Sequence, residues 1–290
     1  MLRKNKPLYY IINISSILAA LFFINYKSLP NIELILPRLF LILFLFLLIH
    51  IARFLRMYFI LLEDLIRPSR FLQLYVKTTF VSTLIPFKIG ELFKMYCYSI
   101  ETNSTRKGIT AVIIEKYFDA LVLCFFIIPY TIKNSIINPL IVILAVFILL
   151  ASILYFTFDG TYSYLNKFLI CRGGGKKSLL ALKILEELKK TYDGIKRTLK
   201  GRFILLLFLS LVAWAVESVL ILIISPSNEF NYGTVLSYIS DGFFGIFNIT
   251  FSYYAFLCAI TFFIILLGIY GKKYLNIIKD KRRSKVWKTY

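Results

Sequence analysis

The chain has 290 residues, 59% of them hydrophobic and 17% charged, with a mean hydropathy of +0.76 and a formal net charge of +20. A soluble domain of this length carries more polar surface, so the composition predicts an all-α polytopic membrane protein. Its apolar runs do not alternate as barrel strands do, and its basic residues fall in connections and tail, which argues against a nucleic-acid surface.

Runs long enough to cross a bilayer helically recur at 8–26, 37–62, 109–131, 138–158, 201–225 and 251–270. The first follows Arg3, Lys4 and Lys6, lacks a small-residue cleavage site and runs into Asn25, Tyr26 and Lys27, so it reads as a retained anchor. By the positive-inside rule the amino terminus is cytoplasmic, 27–36 is external, and Arg67 and Arg70 return the chain inside. Residues 71–107 begin and end inside and are interrupted between Pro86 and Gly90, which predicts two short helices meeting at a break.

After two more crossings, residues 159–202 hold eleven Lys/Arg against Asp159, Glu186, Glu187 and Asp193, the strongest cytoplasmic marker. Within this connection, SLLALKILEELKKTYDGIKRTL has the apolar spacing of an amphipathic helix suited to the membrane surface; a solvated linker helix packed on a partner is the other reading. CRGGGKKS lacks the phosphate-loop spacing and reads as a flexible turn. Residues 201–225 lead outward, and 233–250 form a second dipping segment broken at Gly242 and Gly245. A last crossing then leads to a tail from Lys272 with eight basic residues and one aspartate, also inside. About six crossings and two broken, re-entrant segments give one membrane domain in the pattern of an inverted repeat, with halves at about 37–131 and 203–271.

The charge buried in this pattern is specific. STLIPFKIGELFK places Lys88, Glu91 and Lys94 at the first break, and Glu91 and Lys94, three apart on one helical face, are spaced so that they can pair. Irregular backbone at membrane depth needs protein or a watery cavity around it, and a half-helix starting near Gly90 would aim free amides into that cavity. Glu115 and Asp119 lie four apart with Lys116 offset, either as a structural ion-pair network or as part of a site. Arg53 and Arg56, three apart, either snorkel to the interface or contact a ligand. Glu217 is a further buried acid, with Trp214 as an aromatic wall or interface anchor, and Asp241 is either a turn residue or functional. His50 reads as a packed side chain. Cys97, Cys124, Cys171 and Cys258 show no paired spacing, and no metal, cofactor or nucleophile chemistry is indicated.

These motifs resemble the flippase-like transmembrane region of the lysylphosphatidylglycerol synthases. The family's signature Leu-Pro-Gly-Arg-x-Gly-Glu-x-x-Arg is echoed by LIPFKIGELFK, which keeps Pro86, Gly90 and Glu91 and has Lys88 and Lys94 where arginine is usual. EKYFDAL matches the acid-base pair and following aspartate at Glu115, Lys116 and Asp119, Arg56 matches a usual arginine, and Trp214 to Glu217 fits a Trp-x-x-Glu element. The family's second Pro-Gly-Gly-x-Gly is replaced by SDGFFGIFN, a departure on the outer half of the expected cavity.

The resemblance implies a lipid flippase-like membrane protein binding an anionic headgroup, a phospholipid or a polyprenyl-phosphate-linked sugar. Lys88, Lys94 and Arg56 would attract phosphate, and Glu91, Glu115 and Asp119 would orient it or balance charge. The chain ends at Tyr290, so no synthase domain and no enzyme activity are expected. The rival expectation is a non-transporting scaffold for a glycosyltransferase or lipid-modifying enzyme. An acid-base enzyme using Glu91 and Asp119 lacks a nucleophile or metal.

Overall fold

The computed structural model describes residues 36–64, 66–85, 89–134, 139–172, 175–225, 232–244 and 254–268, with Ser15 and Gly271. Apart from Ser15, the predicted first crossing lies outside them, as do the basic tail, Pro86 to Lys88 and residues 245–250. Among the described residues the secondary structure is helical: α1 Leu36–Ile60, α2 Pro68–Leu84, α3 Ile89–Glu101, α4 Thr105–Asn134, α5 Pro139–Arg172, α6 Lys176–Leu199, α7 Phe203–Ile224, α8 Tyr232–Phe244 and α9 Tyr254–Gly268. Arg38–Ile60, Pro139–Cys171 and Phe203–Ile224 are long and apolar enough to cross a membrane.

The architecture is built around α1 and α7, which run antiparallel and fasten each other's ends. Arg38, near the start of α1, donates to the Ile223 carbonyl at 2.6 Å, and Arg202, just before α7, donates to the Phe59 carbonyl at 3.2 Å. Each arginine satisfies a carbonyl that the last turn of a helix leaves without an intrahelical donor.

The segment expected to break near Pro86 does separate into two helices. Proline at N1 starts α2, and Ile85 leaves it in an extended conformation. The two helices fold back on one another: Gly90 packs so closely that an added Cβ would lie 2.3 Å from the Ser82 Cα, while Arg70 and Glu101 pair at the opposite ends. A hairpin with both ends together is the shape expected of a segment that enters and leaves on one side. Gly90 thus serves close helix approach.

The turn from α3 to α4 follows from local sequence. Asn103 takes the left-handed conformation (φ 52°), Ser104 N–H bonds the Ser99 carbonyl and Asn103 N–H the Ile100 carbonyl, the two bonds of a Schellman cap. Ser104 then caps α4 through the Lys107 amide at 3.5 Å. Gly108 fits where a Cβ would meet Ser99 Oγ at 2.2 Å, which locks α3 against α4.

Two expectations change. α5, 34 residues and about 51 Å long at 1.5 Å per residue, continues to Arg172, so the first part of the predicted connection 159–202 is helix. The predicted amphipathic helix exists as α6, which turns back and packs on α5 and α4, burying Leu185, Tyr192 and Thr198. Asp159 receives Lys189 (2.5 Å), Tyr192 (3.2 Å) and Lys196 (3.3 Å), so cross-helix charge pairing ties α6 to α5, while the apolar Leu179, Ile184 and Leu188 of α6 stay exposed. Finally, α8 runs through Asp241 and Gly242 without a break or turn there, since a single helical glycine costs only about 1 kcal/mol. The Asp241 side chain lies outside the described residues.

Candidate functional site

Charges from α1, α3, α4 and α7 meet inside this helical frame. Arg56 sits on the face of α1 turned toward α4 and α7, and only 1% of its side chain is exposed. It donates to Asp119 Oδ1 at 2.6 Å, to Glu115 Oε1 at 3.1 Å and to Ser210 Oγ at 2.7 Å. A guanidinium fits this position because its planar fork can serve several oxygens at once. The snorkelling reading of Arg56 is therefore replaced by a central ion pair, with three protein oxygens around the guanidinium.

Glu91 and Lys94 do not pair. Lys94, 6% exposed, reaches Glu115 Oε2 at 2.5 Å, and Glu91 pairs with Lys116, 44% exposed, at 2.7 Å. The reason is geometric: the short α3–α4 turn lays the two helices side by side, so opposite charges across the contact are nearer than the next turn of the same helix. Glu115 is bridged by Lys94 and Arg56, and Asp119 also accepts from Trp214 Nε1 at 3.0 Å. Trp214 is thus a polar partner within the cluster.

Arg53 opens a second branch. It pairs with Glu217 on α7, donates to the Tyr254 hydroxyl at 3.3 Å, and lies over the Trp214 ring at 5.5 Å. Glu217 accepts from the Tyr238 hydroxyl at 3.0 Å. Tyr254 in turn approaches His50 Nε2 at 3.4 Å, and His50 Nδ1 meets the Tyr75 hydroxyl at 3.1 Å. His50 is buried as predicted, yet it is a hydrogen-bonding member of this branch.

Arg53, Arg56, Lys94 and Lys116 therefore face Glu91, Glu115, Asp119 and Glu217, formally four positive charges against four negative. Removal of either partner of a buried pair exposes an uncompensated charge, so the set is held together by mutual dependence. Arg56 Nε, Thr79 Oγ1, Glu91 Oε2 and Tyr98 OH are buried without a hydrogen-bond partner among the described residues. Among those residues no three His, Cys, Asp or Glu side chains gather where they could hold a metal ion. Cys97, Cys124 and Cys258 are buried free thiols and Cys171 is exposed.

The family model described as the lysylphosphatidylglycerol synthase TM region matches residues 9–267. The chain belongs to this family. No curated protein and no solved structure matches it. The lysylphosphatidylglycerol synthase transmembrane assignment covers every element that builds the ion-pair cluster.

Sequence reading placed Arg53, Arg56, Glu91, Lys94, Glu115, Lys116, Asp119, Trp214 and Glu217 as candidates, and the fold brings them into contact pairwise across helices. Pro86 and Lys88 lie outside the described residues. Ser210, Tyr75, Tyr238 and Tyr254 were not foreseen. A helical-face reading of α1 could have drawn in His50, three residues before Arg53, but the tyrosines come from elements whose neighbours only the fold defines.

Proposed function

We propose that this protein binds the anionic headgroup of a lipid, a phospholipid or a polyprenyl-phosphate-linked sugar, inside the helical bundle and moves it between leaflets. The observation that carries the reading is the charge-balanced cluster of four cations and four carboxylates packed against α1 and α7, two helices long and apolar enough to span a bilayer. Ionisable groups at such depth are expensive and are kept where they serve a pathway. Arg56 and Lys94, buried and multiply paired, hold the frame. Lys116 and Arg53 are the more accessible cations, with Lys88 at the neighbouring break. Glu91, with one carboxylate oxygen unpaired, orients the guest, and Glu115 and Asp119 balance charge.

In this reading the protein is a multi-pass cell-membrane transporter with no enzymatic step, its basic segments and both termini on the cytoplasmic face. The test is headgroup translocation in proteoliposomes, with a fluorescent phosphatidylglycerol and dithionite quenching of the outer leaflet. Wild type is expected to accelerate flipping, and folded Glu91→Gln and Lys116→Gln, both changed at partly exposed side chains, to slow it at least tenfold. Unchanged lipid distribution with well-folded wild type, for phospholipid and polyprenyl carriers alike, refutes the reading.

One observation favours a second reading, a scaffold for a glycosyltransferase or lipid-modifying enzyme. The far end of the α5–α6 pair exposes Tyr164, Phe168, Ile170, Leu179 and Leu180 beside Lys167 and Lys177. A scaffold would keep its partner after the two cluster substitutions and lose it when these exposed apolar residues are changed to serine.

A further inference from the structure

The two arginines of α1 differ in a way that assigns them different tasks. Arg56 is enclosed by Asp119, Glu115 and Ser210, whereas Arg53 is 19% exposed and shares its charge with one carboxylate, Glu217, which is itself only 3% exposed. An incoming anion can reach Arg53 and can compete there with a single protein group. Its remaining contacts suit a headgroup: the Trp214 face lies alongside and the Tyr254 hydroxyl lies within 3.3 Å.

Charge counting decides what happens to Glu217 when that competition succeeds. Among the described residues the ion-paired cluster has four positive and four negative members, so a phosphodiester monoanion that takes Arg53 leaves one buried carboxylate without its cation. Such a charge costs several kcal/mol, and the usual relief is protonation. Glu217 is the carboxylate that loses its cation. Arg53 and Arg56 face it from α1, Asp119 from α4, Tyr238 from α8 and Tyr254 from α9, with Trp214 on its own helix. None of these can replace Arg53: Arg56 is already committed, Asp119 repels, and the tyrosines offer hydrogen bonds without charge.

We propose that Arg53 and Glu217 form an ion-exchange site, at which the phosphate of a singly charged phosphodiester headgroup displaces the Glu217 carboxylate from Arg53 and Glu217 takes up one proton from solvent. The bookkeeping closes, since one negative charge and one positive charge enter together and the cluster stays neutral. The inference rests on the lipid-binding reading above and adds to it the subsite and the coupled ion. A proton gradient would then bias the direction of headgroup movement.

The test is calorimetric binding of dihexanoyl-phosphatidylglycerol to the detergent-solubilised full chain, in two buffers of different ionisation enthalpy, from about pH 8 to about pH 6. Wild type is expected to take up close to one proton per lipid bound, with affinity rising roughly tenfold for each pH unit lowered. The sign follows from linkage: the bound state holds more protons than the free state, so acid favours binding. Glu217→Gln supplies a neutral side chain from the start and is expected to bind without proton uptake and independently of pH. Arg53→Met is expected to lose binding.

The wild-type proton count needs no variant to fold. Binding with no proton taken up, or pH dependence that survives Glu217→Gln, overturns the exchange site. If flipping in proteoliposomes then persists with no dependence on pH, only this inference falls. If folded wild type neither binds nor flips the lipid, both fall.

Discussion

Replacing Arg56 by methionine tests whether the cluster is the structural keystone that its geometry indicates. The substitution keeps most of the side-chain volume and removes the guanidinium, leaving Asp119 with Trp214 as its remaining donor and Glu115 with Lys94. Ser210 loses a hydrogen-bond partner as well. Breaking a buried pair from one side costs about 3–5 kcal/mol because the surviving charge stays buried. That is a large share of the roughly 5–15 kcal/mol that holds a typical domain together, and it shifts the unfolding constant by about two to four powers of ten. The double variant Arg56→Met with Asp119→Leu removes both charges and should recover more than half of the loss, since apolar replacement of a whole pair is often near neutral. The assay is reversible unfolding in mixed micelles by titrated dodecyl sulfate, followed by tryptophan fluorescence, to which Trp214 contributes through its contact with Asp119. A single variant within about 0.5 kcal/mol of wild type would refute the argument, because surface-like substitutions fall in that range.

Gly90→Ala forces a Cβ to within 2.3 Å of the Ser82 Cα and should lower the thermal midpoint of the solubilised protein, while Gly160→Ala, with nothing within 4 Å, should leave it unchanged or raise stability by up to about 1 kcal/mol. Equal effects at both positions would remove close approach as the role of Gly90. Lys94→Met should destabilise in the same unfolding titration far more than Lys116→Met, because Lys94 is buried at Glu115 whereas Lys116 is 44% exposed and cations open to solvent contribute about 1 kcal/mol or less through their pairs. Asp159→Asn weakens the contact of α5 with Lys189, Tyr192 and Lys196, so trypsin should cut faster near residues 172–177 at low salt, with the difference shrinking as salt screens the pairs. A cutting rate that matches wild type at low salt would show that packing alone holds α6.

Much of the helical frame is present in the sequence itself. A bilayer demands long apolar runs, so 37–62, 109–131 and 201–225 fall close to α1, α4 and α7, and Pro86 with Gly90 announces the break between α2 and α3 because proline removes a donor and glycine admits a close neighbour. The candidate residues were also legible, since a charge in an apolar run is conspicuous wherever it falls. Their partners were not. Spacing along one helix suggested Glu91 with Lys94, and the α3–α4 turn instead sends each to the neighbouring helix. Hydropathy likewise ended the fourth predicted run at 158, where Asp159 begins a polar stretch, although helix continues to Arg172 because α6 supplies the cations that Asp159 needs. Composition and periodicity are one-dimensional properties and determine which segments become helices in a membrane. The choice of which carboxylate meets which guanidinium belongs to the packing of α1, α4 and α7, because at contact distance the strength of a buried pair depends on a few ångströms that no sequence interval specifies.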